Sequence, residues 1–240
     1  MRGSTEGRTG QASTGAGPQR ALTLTLAGLG AASAAHLIAQ LLDLTWIADP
    51  TQVLLMPLLA AALLLGTPAP RGRLVRLVLV GLGFSWLGDA VPRLLDGQSG
   101  FLVMLGGFLI AQVLYAVAFW PFRRRSVLAR PALVLPYLVA AVMIIVACAP
   151  GAGPMLPAVA VYAAAIVAMA VLATGLGRLA GLGAAAFVVS DALIAMNSFE
   201  VLTLPGHGVW VMSTYIAAQA MLVAAVQRSA GHGNDERRPR

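Results

Sequence analysis

Eight apolar stretches, most of them close to twenty residues long, restrict what this sequence can fold into. About 20 apolar residues in a helix span a bilayer core, and a helix satisfies its backbone hydrogen bonds internally, as lipid requires. Hydrophobic residues make up 59% of the chain and charged residues only 10%, against about a quarter charged in soluble domains. We therefore predict an all-α, multi-pass bundle of eight transmembrane helices at about 21–42, 52–66, 74–95, 101–120, 132–149, 155–174, 179–198 and 208–227.

Polar segments flank the apolar region at both ends. Residues 1–20 and 229–240 show no apolar periodicity, so we predict disordered tails around one membrane domain at 21–228. The second apolar stretch, which is short, would also suit a re-entrant segment.

The first apolar stretch has two interpretations. Its start, ALTLTLAGLG followed by AASAA, resembles a cleavable signal peptide. Against cleavage, Ser33, His36, Gln40 and Asp43 recur at helical intervals and form one polar stripe. Such a stripe is typical of a retained helix with an inward face.

Every basic residue is an arginine, and the arginines predict the orientation. Fifteen of the sixteen lie in the tails or in connections on one side of the predicted bundle, and only Arg93 lies on the other. Because cytoplasmic loops are enriched in basic residues, we predict that both termini are cytoplasmic and that the protein lies in the cell membrane. The pI of 11.0 then reflects contact with anionic lipids, not nucleic-acid binding.

Two aspartates lie inside otherwise apolar spans: Asp89 in LVLVGLGFSWLGDAV and Asp191 in GAAAFVVSDALIAMNSF. A carboxylate near the bilayer centre costs about 2.5–3.5 kcal/mol on the insertion scale, so such residues are functional by default. In the predicted orientation both lie at or beyond mid-depth toward the non-cytoplasmic side, with His36 and Tyr162. This placement predicts a polar pocket that opens toward the outer leaflet, although an interhelical hydrogen bond is the structural alternative for each aspartate.

Other site chemistries find little support in the sequence. Cys148 is the single cysteine, which excludes an internal disulfide and a multi-cysteine metal site. His36 and His207 are isolated, and there is no HExxH or GxSxG motif. The glycines of TGLGRLAGLG predict close helix packing, not a nucleotide loop. We predict neither a metal nor another cofactor.

A short internal similarity relates spans three and four to spans seven and eight. A Phe and a Ser precede the aspartate in spans three and seven, and an Ala-Gln pair follows at Gln112 and at Gln219. This pattern predicts a 4+4 parallel repeat, that is, two halves of four spans each in the same orientation, as in some transporter folds.

Four segments resemble, in order and spacing, the signature motifs of the YhhN family of integral membrane proteins, whose characterised animal members are lysoplasmalogenases. They are GLGFSWLGDAV, GGFLIAQVLYAVAFW, GAAAFVVSDALIAM and YIAAQAML, and the resemblance covers roughly residues 50–227. It implies that Asp89 and Asp191 are the catalytic pair. In one departure, the family usually has a Lys-Pro pair at the start of span two, where this chain has Gln52 and Val53. If that lysine contacts the head group, this protein prefers another substrate.

The implied reaction is hydrolysis of the vinyl ether of a lysophospholipid. Protonation of the alkene gives an oxocarbenium ion, and its capture by water releases an aldehyde and a glycerophospho-alcohol. Two carboxyls that share a buried site suit this chemistry, because a neutral acid and an ionised base can coexist there, as in glycosidases. We predict that Asp89 and Asp191 form this pair, with their individual roles open.

Polar and aromatic residues on the same helix faces complete the predicted site. Those expected to orient the pair or the water are Ser85, Gln112, Ser190 and Gln219. Those expected to line the path of the alkenyl chain or head group are Trp86, Tyr115, Tyr162 and Tyr215. Arg93 is the best-placed partner for a substrate phosphate; its alternatives are pairing with Asp89 or Asp96, or snorkelling to lipid head groups.

A small proton-coupled transporter is the alternative function. It would use the same two aspartates as proton-binding sites. Aldehyde release by purified protein without a gradient distinguishes the enzyme from the transporter.

Overall fold

The computed structural model describes residues 16–95 and 97–235, and this part of the chain is helical, without strands. Short 3-10 turns lie between several of the helices. The eight α-helices of the described residues are α1 (Ala16–Leu41), α2 (Thr45–Leu65), α3 (Arg73–Ala90), α4 (Gly97–Phe119), α5 (Leu135–Ala152), α6 (Leu156–Ala173), α7 (Arg178–Ser198) and α8 (His207–Asp235).

Seven helical segments of the described residues are long and apolar enough to cross a membrane. One of them, Pro131–Leu176, contains both α5 and α6. The two helices are separated at Gly153, whose φ of 47° favours glycine, and they pack against each other. The predicted all-α, multi-pass membrane architecture is confirmed, while the count of eight spans stays a prediction.

Helix boundaries differ from the predicted ones at several places, among them the ends of α1, α2 and α8. Helix α1 already begins at Ala16 and α8 continues to Asp235, because backbone hydrogen bonding propagates from an apolar helix into adjoining polar residues. Helix α2 begins at Thr45, seven residues before the predicted start at 52. Its first turns contain Asp49, a charge that hydropathy assigns to a connection but that forms an ion pair with Arg93. Residues 1–15 and 236–240 of the predicted tails lie outside the described residues.

Small residues bring neighbouring helices close together. The most extensive helix packing joins α7 to α8, α3 to α4 and α1 to α2. A Cβ atom on Gly107 of α4 would lie 3.0 Å from the Gly88 Cα of α3, and one on Gly183 of α7 would lie 3.0 Å from the Ala218 carbonyl of α8. These contacts are typical of membrane helices, and Gly183 belongs to the TGLGRLAGLG segment for which packing is predicted.

Helix α5 is the most peripheral part of the bundle. Its buried residues are Cys148 and Ala152, while Val142 and Met143 are 57% and 67% exposed. Such an apolar surface suits contact with lipid. Because α5 packs loosely, a cleft remains between it and the helices α6 and α7.

Candidate active site

Asp89 and Asp191 line a common cavity, which we call the polar cavity. It has a volume of about 420 Å³ and lies where the C-terminal ends of α3 and α7 meet the N-terminal end of α8. This end of the bundle is opposite to the arginine-rich connections. The other polar residues of its lining are Gln40, Gln52, Arg93, Ser190, Asn197, Ser198, His207 and Tyr215.

Asp89 is held by side chains from two other helices. The Gln52 amide donates to its Oδ1 at 2.9 Å, and the Tyr215 hydroxyl donates to its Oδ2 at 2.8 Å. The residue is 6% exposed. Both carboxyl oxygens therefore act as acceptors, and the contacts tie α3 to α2 and α8.

A second layer of hydrogen bonds lies one helical turn deeper between α3 and α8. Gln219 donates to the Ser85 hydroxyl at 3.2 Å and accepts from the Tyr115 hydroxyl at 3.0 Å. Ser85 precedes Asp89 by one turn and Gln219 follows Tyr215 by one turn, so the two layers are stacked. All three residues are buried beneath the polar cavity, where they support Tyr215 and Asp89.

Gln52 connects Arg93 to Asp89. Arg93 forms an ion pair with Asp49, donates to the Gln52 side-chain oxygen, and donates from Nε to the Asp89 backbone carbonyl at 3.1 Å. The Asp89 carboxylate is therefore not its partner, contrary to one predicted alternative, and Asp96 lies outside the described residues. Asp49 and Gln52 are absent from the predicted site residues, although the departure at Gln52 from the family pattern pointed to this position.

Asp191 has a simpler environment. Its carboxyl is hydrogen-bonded to the Tyr162 hydroxyl of α6. The neighbouring Ser190, predicted to orient the pair, donates to the Val211 carbonyl of α8 at 3.0 Å. Asp191 and Tyr162 also border a second cavity of about 450 Å³ between α5, α6 and α7, which we call the apolar cavity.

Besides the three residues of the second layer, two further predicted site residues line neither cavity. Trp86 is 36% exposed on the outer surface, and its indole donates to the Val53 carbonyl at 3.0 Å; its place on the substrate path stays a prediction. Gln112 is fully buried, and neither of its amide atoms is hydrogen-bonded within the described residues.

Two side chains of the polar stripe on α1 differ in what they contact: one packs against α2 and the other lines the polar cavity. His36 is fully buried and hydrogen-bonded to the Ala48 carbonyl at 3.0 Å, so it fastens α1 to α2. Gln40, one turn later, reaches the polar cavity. Among residues 16–95 and 97–235, no cluster of three or more His, Cys, Asp or Glu side chains is arranged to hold a metal ion.

Fold and site together define a polytopic helical membrane protein with a carboxylate-lined polar cavity at one end. The YhhN family model matches residues 45–226, and the chain belongs to this family. The chain is also 32% identical over 179 residues to lysoplasmalogenase TMEM86B of Rattus norvegicus, an alignment that covers 73% of this chain and 72% of the rat protein. No solved structure matches the chain. The resemblance inferred from the four sequence motifs is confirmed.

Proposed function

We propose that this protein hydrolyses the vinyl ether bond of a lysophospholipid and releases an aldehyde and a glycerophospho-alcohol. The observation that carries the proposal is that Asp89 and Asp191 line one polar cavity within the membrane bundle. The similarity to the rat lysoplasmalogenase supports this reaction over others that use two carboxyls. The transporter alternative gains no support from these relatives.

The two aspartates supply the acid and the base of the reaction. One carboxyl protonates the alkene, and the other accepts a proton from the water that attacks the oxocarbenium ion. Gln52 and Tyr215 orient Asp89, and Tyr162 orients Asp191. No cofactor takes part in these steps.

Arg93 binds the substrate phosphate at the edge of the polar cavity. Its present partner, Asp49, has a side chain that is 56% exposed, and an exposed ion pair contributes only about 0–1 kcal/mol. A phosphate can therefore replace the carboxylate at low cost and gain charge-assisted hydrogen bonds to the guanidinium.

In the topology that goes with this function, the chain crosses the membrane eight times and both termini are cytoplasmic. The protein lies in the cell membrane. The arginine distribution supports this topology, because fifteen of the sixteen arginines lie in the tails or in connections on one side of the bundle, and cytoplasmic loops are enriched in basic residues. The similar pairing of α3 with α4 and of α7 with α8 supports the 4+4 repeat.

The hydrolase proposal is tested with the variants Asp89→Asn and Asp191→Asn. Protein purified in detergent, with no ion gradient, is expected to release aldehyde from lysoplasmalogen, and each variant to be slower by about 10²–10⁴-fold, the usual contribution of acid–base catalysis. Asp43→Asn is the matched control, because Asp43 is exposed, lies outside both cavities and has a φ of 53° that Asn also tolerates. Near-normal hydrolysis by both aspartate variants, or no aldehyde from the wild type, contradicts the proposal.

A further inference from the structure

The apolar cavity is chemically unlike the polar cavity beside it. Its lining is apolar except for the Tyr137 and Tyr162 hydroxyls and the Asp191 carboxyl. Alanines at 140, 141, 163, 185 and 192 leave the space open. An apolar cleft of about 450 Å³ suits a hydrocarbon chain, since removing apolar surface from water favours binding.

Asp191 lies at the junction of the two cavities. A small space of about 40 Å³ lies between them: it shares Met104 and Phe108 with the polar cavity and Val159 and Tyr162 with the apolar cavity. Asp191 borders all three spaces. The two cavities therefore meet at Asp191, with polar surroundings on one side of its carboxyl and apolar surroundings on the other.

The apolar cavity extends away from the polar cavity along the helices. On α5 its lining runs from Ile145 back to Pro136, a distance of about 14 Å at 1.5 Å per residue. Since α5 begins at the arginine-rich connection, this direction leads from the middle of the bundle toward its arginine-rich end. A lipid with its head group in the polar cavity would direct its chain the same way.

We propose that the apolar cavity binds the single hydrocarbon chain of the substrate, an inference that rests on the hydrolase function proposed above. The head group then occupies the polar cavity with Arg93, and the scissile vinyl ether lies between the two aspartates. Asp191 is on the chain side of that bond, and Asp89 is on the head-group side.

This arrangement assigns the acid and base roles. A vinyl ether is protonated on the alkene carbon farther from the oxygen, which is the chain side, so Asp191 donates the proton. Water adds to the carbon bonded to oxygen and gives its proton to Asp89, whose two oxygens already act as acceptors. In the resulting hemiacetal, the hydroxyl proton passes to Asp191, the bond to the glycerol oxygen breaks, and Asp89 protonates that oxygen. Both carboxyls return to their starting states.

Hydrogen exchange into unreacted substrate tests these roles. In D₂O, Asp89→Asn keeps the proton donor, so we expect deuterium to enter the chain-side vinyl position of recovered lysoplasmalogen although little aldehyde forms. Asp191→Asn is expected to show at least tenfold less exchange. Equal exchange in the two variants, or more in Asp191→Asn, would overturn the assignment.

Filling the apolar cavity tests the chain site itself. Ala163→Phe blocks the cavity from α6, whereas Ala164→Phe, at an exposed neighbouring position outside the cavity, is the matched control. The ratio of long-chain to short-chain lysoplasmalogen turnover is expected to fall at least tenfold in Ala163→Phe and to stay at the wild-type value in Ala164→Phe. Ala141→Phe, on the opposite wall in α5, must shift the ratio in the same direction, which guards against a folding defect in one variant.

Photolabelling separates this inference from the hydrolase proposal. A lysophospholipid with a diazirine at the end of its chain should label α5 and α6 peptides in the wild type and in Ala164→Phe, but not in Ala163→Phe. That pattern in a protein that releases no aldehyde supports the chain site and contradicts the hydrolase function. Aldehyde release with a chain-length ratio that neither Ala163→Phe nor Ala141→Phe changes overturns the chain site alone.

Discussion

Asp89 and Asp191 occur in similar sequence motifs, yet their surroundings differ. Asp89 accepts hydrogen bonds on both oxygens from α2 and α8, and a second buried layer of polar contacts lies beneath it. Asp191 is bonded to Tyr162 and borders two cavities of opposite polarity. A motif that places a carboxyl in a membrane therefore does not determine its role; the neighbouring helices do.

The tyrosine partners give the largest test of this difference. Tyr162→Phe removes the hydrogen bond of Asp191, and we expect kcat to fall about 100-fold. Tyr215→Phe removes one of the two hydrogen bonds to Asp89 and leaves the bond from Gln52, so we expect a decrease of about tenfold. The two decreases correspond to about 2.7 and about 1.4 kcal/mol, close to the contribution of a hydrogen bond to a group that carries a charge during the reaction. Steady-state aldehyde release measures them. Equal losses in the two variants would mean that the aspartates are held equally firmly.

The Gln52 contact is tested by a change of one atom. Gln52→Glu replaces the donor to Asp89 by a like charge, and we expect kcat/KM to decrease about tenfold because repulsion disturbs the acceptor role of Asp89. Gln227→Glu is the control, since Gln227 makes an analogous contact to the Ala62 carbonyl at 2.8 Å, at the other end of the bundle. An unchanged kcat/KM in Gln52→Glu would show that Asp89 does not depend on this contact.

Substitutions in the Asp49–Arg93 ion pair at the cavity edge are expected to change KM by smaller factors and in opposite directions. Asp49→Asn releases Arg93 for the substrate phosphate, so KM should decrease a few-fold, the size expected for an exposed pair of about 0–1 kcal/mol. Arg93→Gln removes the phosphate partner, and KM should increase by a similar factor. Both shifts should shrink at high salt. An increase of KM in both variants would instead identify the pair as a structural contact.

Much of the architecture follows from the sequence, because the length and hydropathy of a segment determine whether it can span a bilayer. The start of α2 cannot be predicted from hydropathy, because Asp49 in its first turns is stabilised by Arg93, 44 residues away in sequence. Helical spacing predicts that Ser85 and Gln219 lie on the same helix faces as Asp89 and Tyr215. Spacing does not give the distance of a side chain from the cavity, and both residues lie buried beneath it. The contacts of Trp86 and Gln52 are determined by which helices pack against each other, and a single sequence does not contain that information.

The second layer beneath Asp89 predicts the smallest effect on activity. A Cβ atom on Gly81 would lie 2.4 Å from the Tyr115 ring, so Gly81→Ala must displace Tyr115 and weaken its bond to Gln219. We expect a stability loss of about 1–3 kcal/mol, typical of overpacking, seen as a lower melting temperature in detergent, with activity reduced about twofold. Gly83→Ala is the control, because nothing lies within 4 Å of its Cβ position. If Gly81→Ala instead reduced kcat as much as Tyr215→Phe, the buried layer would be setting the geometry of Asp89, and the contrast between the two aspartates would extend a full turn deeper into the bundle.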